Sequence, residues 1–119
     1  MIIDVSRDCD YRYLKEFLFS FDFPNKDIFE EQMRDAVVHK EQSAYHIAFS
    51  YEVSKQSPRL PVECNGIPIL IQVKTAEALT LCEVFVQDRC VEEYRVYNID
   101  NSELDIDKIH EGIILLEIR

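Results

Sequence analysis

The densest set of side chains able to do chemistry lies in D-N-S-E-L-D-I-D, where Asp100, Glu103, Asp105 and Asp107 supply carboxylates in one short run. Hard cations take such oxygens, but a calcium loop needs regularly alternating ligands, a glycine at its sharp bend and a closing glutamate. Here the gaps are three, two and two, with no glycine inside. Asp105 and Asp107 would share one face of a strand, and a solvated turn is the expected reading. His39, His46 and His110 are all more than four residues apart, and no H-E-x-x-H occurs, so local support for a metal site is lacking. Cys9, Cys64, Cys82 and Cys90 are separated by 55, 18 and 8 residues, without the close pair that sets a tetrahedral zinc site. These thiols are expected to be reduced and mostly buried. With Gly66 and Gly112 as its only glycines, the chain cannot build a nucleophile elbow or a glycine-rich phosphate cradle in the usual way. No enzyme, no metal and no cofactor is the expectation.

Surface recognition is the remaining candidate. Tyrosines recur on the strand-like segments as Tyr45, Tyr51, Tyr94 and Tyr97, and aromatic residues with a polar rim suit protein interfaces. Tyr45 and Tyr51 sit on an apolar alternation and are expected in the core. Tyr94 and Tyr97 fall on opposite faces, so at least one is expected at the surface. Beside them Asp88, Glu92 and Glu93 would complete an acidic recognition patch. The formal net charge is -10, with -3 in residues 1–60 and -7 in residues 61–119. Such a surface repels phosphate backbones and anionic lipid heads, which disfavours nucleic-acid and membrane binding, and it suits a basic protein partner.

These residues need elements to hold them. Ser6, Asp8 and Asp10 are candidate N-caps for a helix running to about Phe21, with Tyr13, Leu14, Phe17, Leu18 and Phe21 as one apolar stripe. Phe19 and Phe23 would cover the corner that Pro24 enforces. Asn25 can cap a second short helix with Ile28, Phe29 and Met33 on its buried face. From Ala36 the period changes to two. Strands are expected at Ala36–Lys40, Ala44–Val53 and Ile67–Thr75, the last with Pro68 marking an edge or strand entry. A hairpin is expected from Leu81–Gln87 and Cys90–Asn98 about Asp88-Arg89, followed by a turn at Asp100-Asn101-Ser102. The run Ile113–Ile118, I-I-L-L-E-I, is apolar on both faces and is expected inside the sheet. M-I-I-D-V at the start reads as a short edge strand or a loose end, and Ser54–Pro61 as a loop.

At 119 residues this is one domain, residues 1–119, of the α+β class: two N-terminal helices packed on a mainly antiparallel meander of five to six strands. No apolar run approaches the ~20 residues that cross a bilayer, and the N-terminus lacks the pattern of a secretory leader, so a cytoplasmic location is expected.

The block Phe17–Gln32, F-L-F-S-F-D-F-P-N-K-D-I-F-E-E-Q, together with I-P-I-L-I-Q-V and V-E-E-Y-R-V-Y-N-I-D-N-S, resembles a family of small uncharacterised bacterial proteins. Their helical N-terminus ends in S-F-D-F-P-G and leads into a strand meander. Asn25 and Asn101 stand where that family tends to have glycine, and asparagine is the substitute that tolerates turn conformations. The resemblance implies the fold and implies no activity. Small size, acidity and the lack of an active-site motif lead to the expectation of a non-enzymatic binding protein, in its specific form an immunity-like inhibitor of a basic toxin or effector. The alternative is a small self-associating, homodimeric domain that uses an apolar sheet edge or the aromatic helix face.

Overall fold

The computed structural model describes residues 5–119. The expected N-terminal strand or loose end therefore lies outside the described residues, except for Val5, which opens a 3-10 helix at Val5–Arg7. Helices α1 (Cys9–Phe19) and α2 (Lys26–Arg34) precede strands β1 (Val37–Gln42), β2 (His46–Glu52), β3 (Gly66–Lys74), β4 (Leu79–Gln87), β5 (Cys90–Asn98) and β6 (Ile113–Ile118). All six strands form one antiparallel sheet in the order β1-β2-β5-β4-β3-β6. The fold is α+β, with helices first and sheet after. Only β3-β4-β5 is a true meander. The β1-β2 hairpin joins one side of it and β6 the other.

Asp8 is the residue that caps α1: its carboxylate accepts from the Tyr11 N–H at 3.0 Å. The helix stops at Phe19, one half-turn before the expected Phe21, and its buried stripe is Tyr11, Leu14 and Leu18. Tyr13, Phe17 and Phe21 flank that stripe and are only partly buried. The corner is aromatic as expected: Phe19 stacks near Phe23 at 6.0 Å, and Phe23 meets Phe29 edge-on at 5.6 Å. Asn25 occupies the cap position of α2 in the left-handed region, φ 62°, with no side-chain capping bond. It serves the turn through backbone conformation, the property that glycine would bring.

One sheet face carries Ile47, Phe49, Tyr94, Val96, Cys82, Val84, Ile69, Ile71 and Val73, and the helices pack here. Tyr11 lies 4.7 Å from the Phe49 ring, and the Tyr94 hydroxyl donates to the Leu14 carbonyl at 2.9 Å. In α2 the fully buried Gln32 sits between Phe29 and Met33. Its Nε2 donates to the carbonyls of Pro58 at 2.7 Å and Arg89 at 3.2 Å, while its Oε1 accepts from the Val91 N–H at 2.9 Å. One amide thus ties α2, the loop after β2 and the β4–β5 hairpin together.

That hairpin turns at Asp88 (φ 51°) and Arg89 (φ 65°). Two consecutive positive φ values match the right-handed twist of a two-residue hairpin. Pro68 is buried at the β3 irregularity between Gly66 and Ile69. It marks a strand entry, and the expected edge is excluded because β3 lies between β4 and β6. The largest correction concerns β6. It pairs only with β3 and forms an edge, so its doubly apolar pattern does not signal an interior strand. Gly112 lets it dock: a Cβ there would lie 2.5 Å from Val73 Cγ1 and 2.9 Å from the Lys74 carbonyl oxygen.

Replacing Gln32 with leucine keeps the volume but strands the buried Val91 N–H and takes a donor from the Pro58 and Arg89 carbonyls, the latter keeping the Leu60 N–H. We expect a loss of about 2–4 kcal/mol in urea unfolding. Lys40 of β1 clasps Asp8 at 2.8 Å and Asp10 at 3.4 Å. Burial works against both charges, yet the Lys40 ammonium and the Tyr11 N–H hold the Asp8 carboxyl below its ordinary 3.8. Asp8 and Asp10 likewise hold Lys40 above 10.5. The Asp8 contribution is present above 3.8 and lost as pH falls through its depressed value. The Lys40 contribution is present below 10.5 and lost as pH rises through its elevated one. Lys40→Met should therefore be less stable than wild type at neutral pH, and the gap between their urea midpoints should close at both extremes.

Candidate interaction surfaces

The carboxylate run does not gather around a point. Residues Ile106–Glu111 form a 3-10 helix, so Asp105 and Asp107 do not share a strand face. Asp105 caps that helix by accepting from the Asp107 N–H at 3.2 Å. The Asp100 carboxylate accepts from the Ser102 N–H at 3.0 Å, and hydrogen bonding to Ser102 holds its pKa low. Among the described residues no cluster of three potential metal ligands exists. The histidines are also dispersed. His39 lies 3.6 Å from Glu52, His46 Nδ1 is 2.9 Å from the Ser43 hydroxyl, and His110 Nδ1 is 3.2 Å from the Tyr13 hydroxyl.

All four cysteines are free, but only Cys82 is buried. Cys9 is exposed and Cys64 and Cys90 are half-buried, which corrects the expectation of mostly buried thiols. Burial pushes the Cys82 thiol up to about 12. Burial, followed by the nearby Glu63 carboxylate, raises Cys64. A groove of about 200 Å³ beside Cys64 is lined by Pro24, Phe29, Pro61, Ile69 and Ile118. A polar cleft of about 230 Å³ lies at the other end. There Lys108 bridges Glu77 at 3.3 Å and Asp105 at 3.9 Å, and Thr80 donates to Asn98 at 2.6 Å.

The five residues expected at an interface separate into four groups. Asp88 and Glu92 are exposed at the hairpin end. Neither makes an ion pair among the described residues. The adjacent cation does not reach them, because Arg89 Nε donates to the Leu60 carbonyl at 2.6 Å. Glu93 is instead neutralised by Arg95 at 3.1 Å, and Arg95 lies over the Phe85 ring. Tyr94 is fully buried beneath α1 and contributes no surface. Tyr97 lies on the opposite sheet face, where its hydroxyl donates to Glu83. Burial, then that carboxylate, raises the Tyr97 pKa to about 12.

That opposite face carries Leu70, Leu81, Phe85 and Tyr97, with Glu83 buried among its neighbours. It runs to β6 at Ile113 (78%) and Leu115 (56%), while Ile118 (46%) and Ile114 (38%) are exposed at the β6 edge of the helix-covered face. These four make up half of the exposed large hydrophobic residues among the described residues. Sequence reading missed this surface. The run I-I-L-L-E-I is visible as apolar, but its place beside β3 depends on pairing that no local pattern encodes.

Among the described residues no helix is long and apolar enough to cross a membrane. No protein family model matches the chain, and no curated protein or solved structure matches it either.

Under a thiol reagent the native protein should be modified at Cys9 and leave Cys82 untouched until denaturant is added, as read by mass spectrometry. Rapid native modification of Cys82 would contradict its burial.

Proposed function

We propose that this chain is a non-enzymatic protein-binding domain of the cytoplasm, in its specific form an immunity-like inhibitor that engages a basic toxin or effector. The observation that carries the reading is the uncompensated charge at the hairpin end. Asp88 in the two-residue turn and Glu92 just after it on β5 are exposed and form no ion pair among the described residues, because the Arg89 guanidinium is held at the Leu60 carbonyl. The net charge of -10 extends the same field, which speeds encounter with a cationic partner and is screened by salt. The Glu93–Arg95 pair lies next along β5 as a polar flank. Self-association is a second reading, favoured by the aliphatic edge of β6.

The test compares wild type with Asp88→Lys/Glu92→Lys in affinity capture from a bacterial lysate at low and high salt. The inhibitor reading expects one basic protein at near-equal stoichiometry, lost in high salt and lost by the variant. Equal capture by both proteins would remove Asp88 and Glu92 from the account.

A further inference from the structure

We infer that two copies of this chain pair antiparallel through β6 about a two-fold axis at Leu116, joining their sheets into one of twelve strands. The inference rests on the self-association reading and assigns its surface and register. The Arg119 N–H donates to the Pro68 carbonyl at 2.9 Å, which makes residues 119 and 68 a hydrogen-bonded pair. Hydrogen-bonded and non-hydrogen-bonded pairs alternate along an antiparallel ladder. In the observed register of β3 with β6, residues 117, 115 and 113 therefore bond to β3. Ile114, Leu116 and Ile118 turn their N–H and C=O groups outward, forming an unpaired template for another strand.

The two edges of the sheet are built differently. β1 carries His39, Lys40, Glu41 and Gln42, the charged and polar residues that keep an edge from pairing. β6 has a single charge, Glu117, already held by Gln72 at 2.9 Å and by Arg119 at 3.2 Å. A second copy is the occupant that fits, because the strand is complementary to itself. A two-fold at Leu116 sets Ile114 against Ile118 on the helix side, and Leu115 against Glu117 and Ile113 against Arg119 on the other. No like charges face each other. Each Arg119 also comes to the start of the other strand, which follows Glu111. An isologous contact of this kind closes at two chains. Six-residue edges bury little area, so the association is at the weak end of specific interfaces.

The test is sedimentation equilibrium and light scattering of the full chain from micromolar to near-millimolar concentration. The variants are Ile114→Pro, Leu115→Glu and Leu115→Lys, with Val62→Lys as an exposed control, and thermal melts by circular dichroism report folding. We expect wild type and Val62→Lys to approach twice the monomer mass. Ile114→Pro removes an outward N–H without touching the β3 ladder and should remain monomeric. Leu115→Glu faces Glu117 twice across the axis and should weaken association about tenfold, whereas Leu115→Lys, set against the same carboxylate, should weaken it less. Equal effects of the two Leu115 variants would overturn the register. A dimer indifferent to all β6 variants would overturn the surface but leave self-association standing. A monomer at every concentration, or masses growing beyond two chains, would overturn the closed pair itself.

Discussion

The arrangement hangs on the buried amide of Gln32. Hydrophobic contact places α2 against the sheet but does not choose among nearby positions, since apolar packing is non-directional. The amide does choose. Its two ends fit a donor in β5 and two carbonyls in separate segments, and any slide of the helix would leave buried polar groups without partners. Arg89 completes the lock from the other side. Its N–H donates to Asn65 Oδ1 at 2.9 Å, its carbonyl accepts from the Leu60 N–H at 3.0 Å, and its guanidinium reaches the Leu60 carbonyl. The left-handed backbone at Arg89 costs roughly 1 kcal/mol or more, and four hydrogen bonds with Asn65, Leu60 and Gln32 hold it there. The same fixation turns Arg89 away from Asp88 and Glu92, so a packing constraint shapes the electrostatics of the hairpin end.

Because both helices lie on one face, the sheet has a covered side and an open side. On the covered side tyrosine hydroxyls find partners inside the core: Tyr51 donates to Tyr11 at 3.2 Å and Tyr94 to the Leu14 carbonyl. On the open side Glu83 is buried by the side chains around it and takes its hydrogen bond from Tyr97. The open side is therefore internally satisfied near its centre, and the unpaired backbone groups of β6 lie at the sheet edge, in its plane.

Much of this was legible in the residues. The 3.6-to-2 change in hydrophobic period gave the order of helices and strands, the Phe19–Phe23 corner followed from Pro24, and Asp88-Arg89 marked the hairpin. Each is a local signal, carried by neighbours in sequence. What escaped was non-local. I-I-L-L-E-I looks interior because both its faces are apolar, yet whether a strand has one neighbour or two depends on partners far away in the chain. Tyr94 and Tyr97 were rightly assigned to opposite faces, but which face α1 would cover turns on the docking of Leu14. Gln32 gave no warning, since a glutamine in an acidic helix reads as solvent-facing until its three partners converge on it.

Acidity and an open edge are two sides of one design problem. A chain with unpaired backbone groups beside exposed isoleucine and leucine is prone to uncontrolled strand addition. A net charge of -10 makes random approach of two copies unfavourable over the range of a Debye length, about 8 Å in physiological salt. The two-fold approach inferred above adds no like-charge contact to that repulsion, because it sets apolar residues and the paired Glu117 and Arg119 at the seam. In the pairing inferred above, charge would act as a filter on geometry, opposing disordered approaches more than the two-fold one. The opposite edge carries charged and polar residues, Lys40 among them bound to Asp8 and Asp10, which disfavour strand addition.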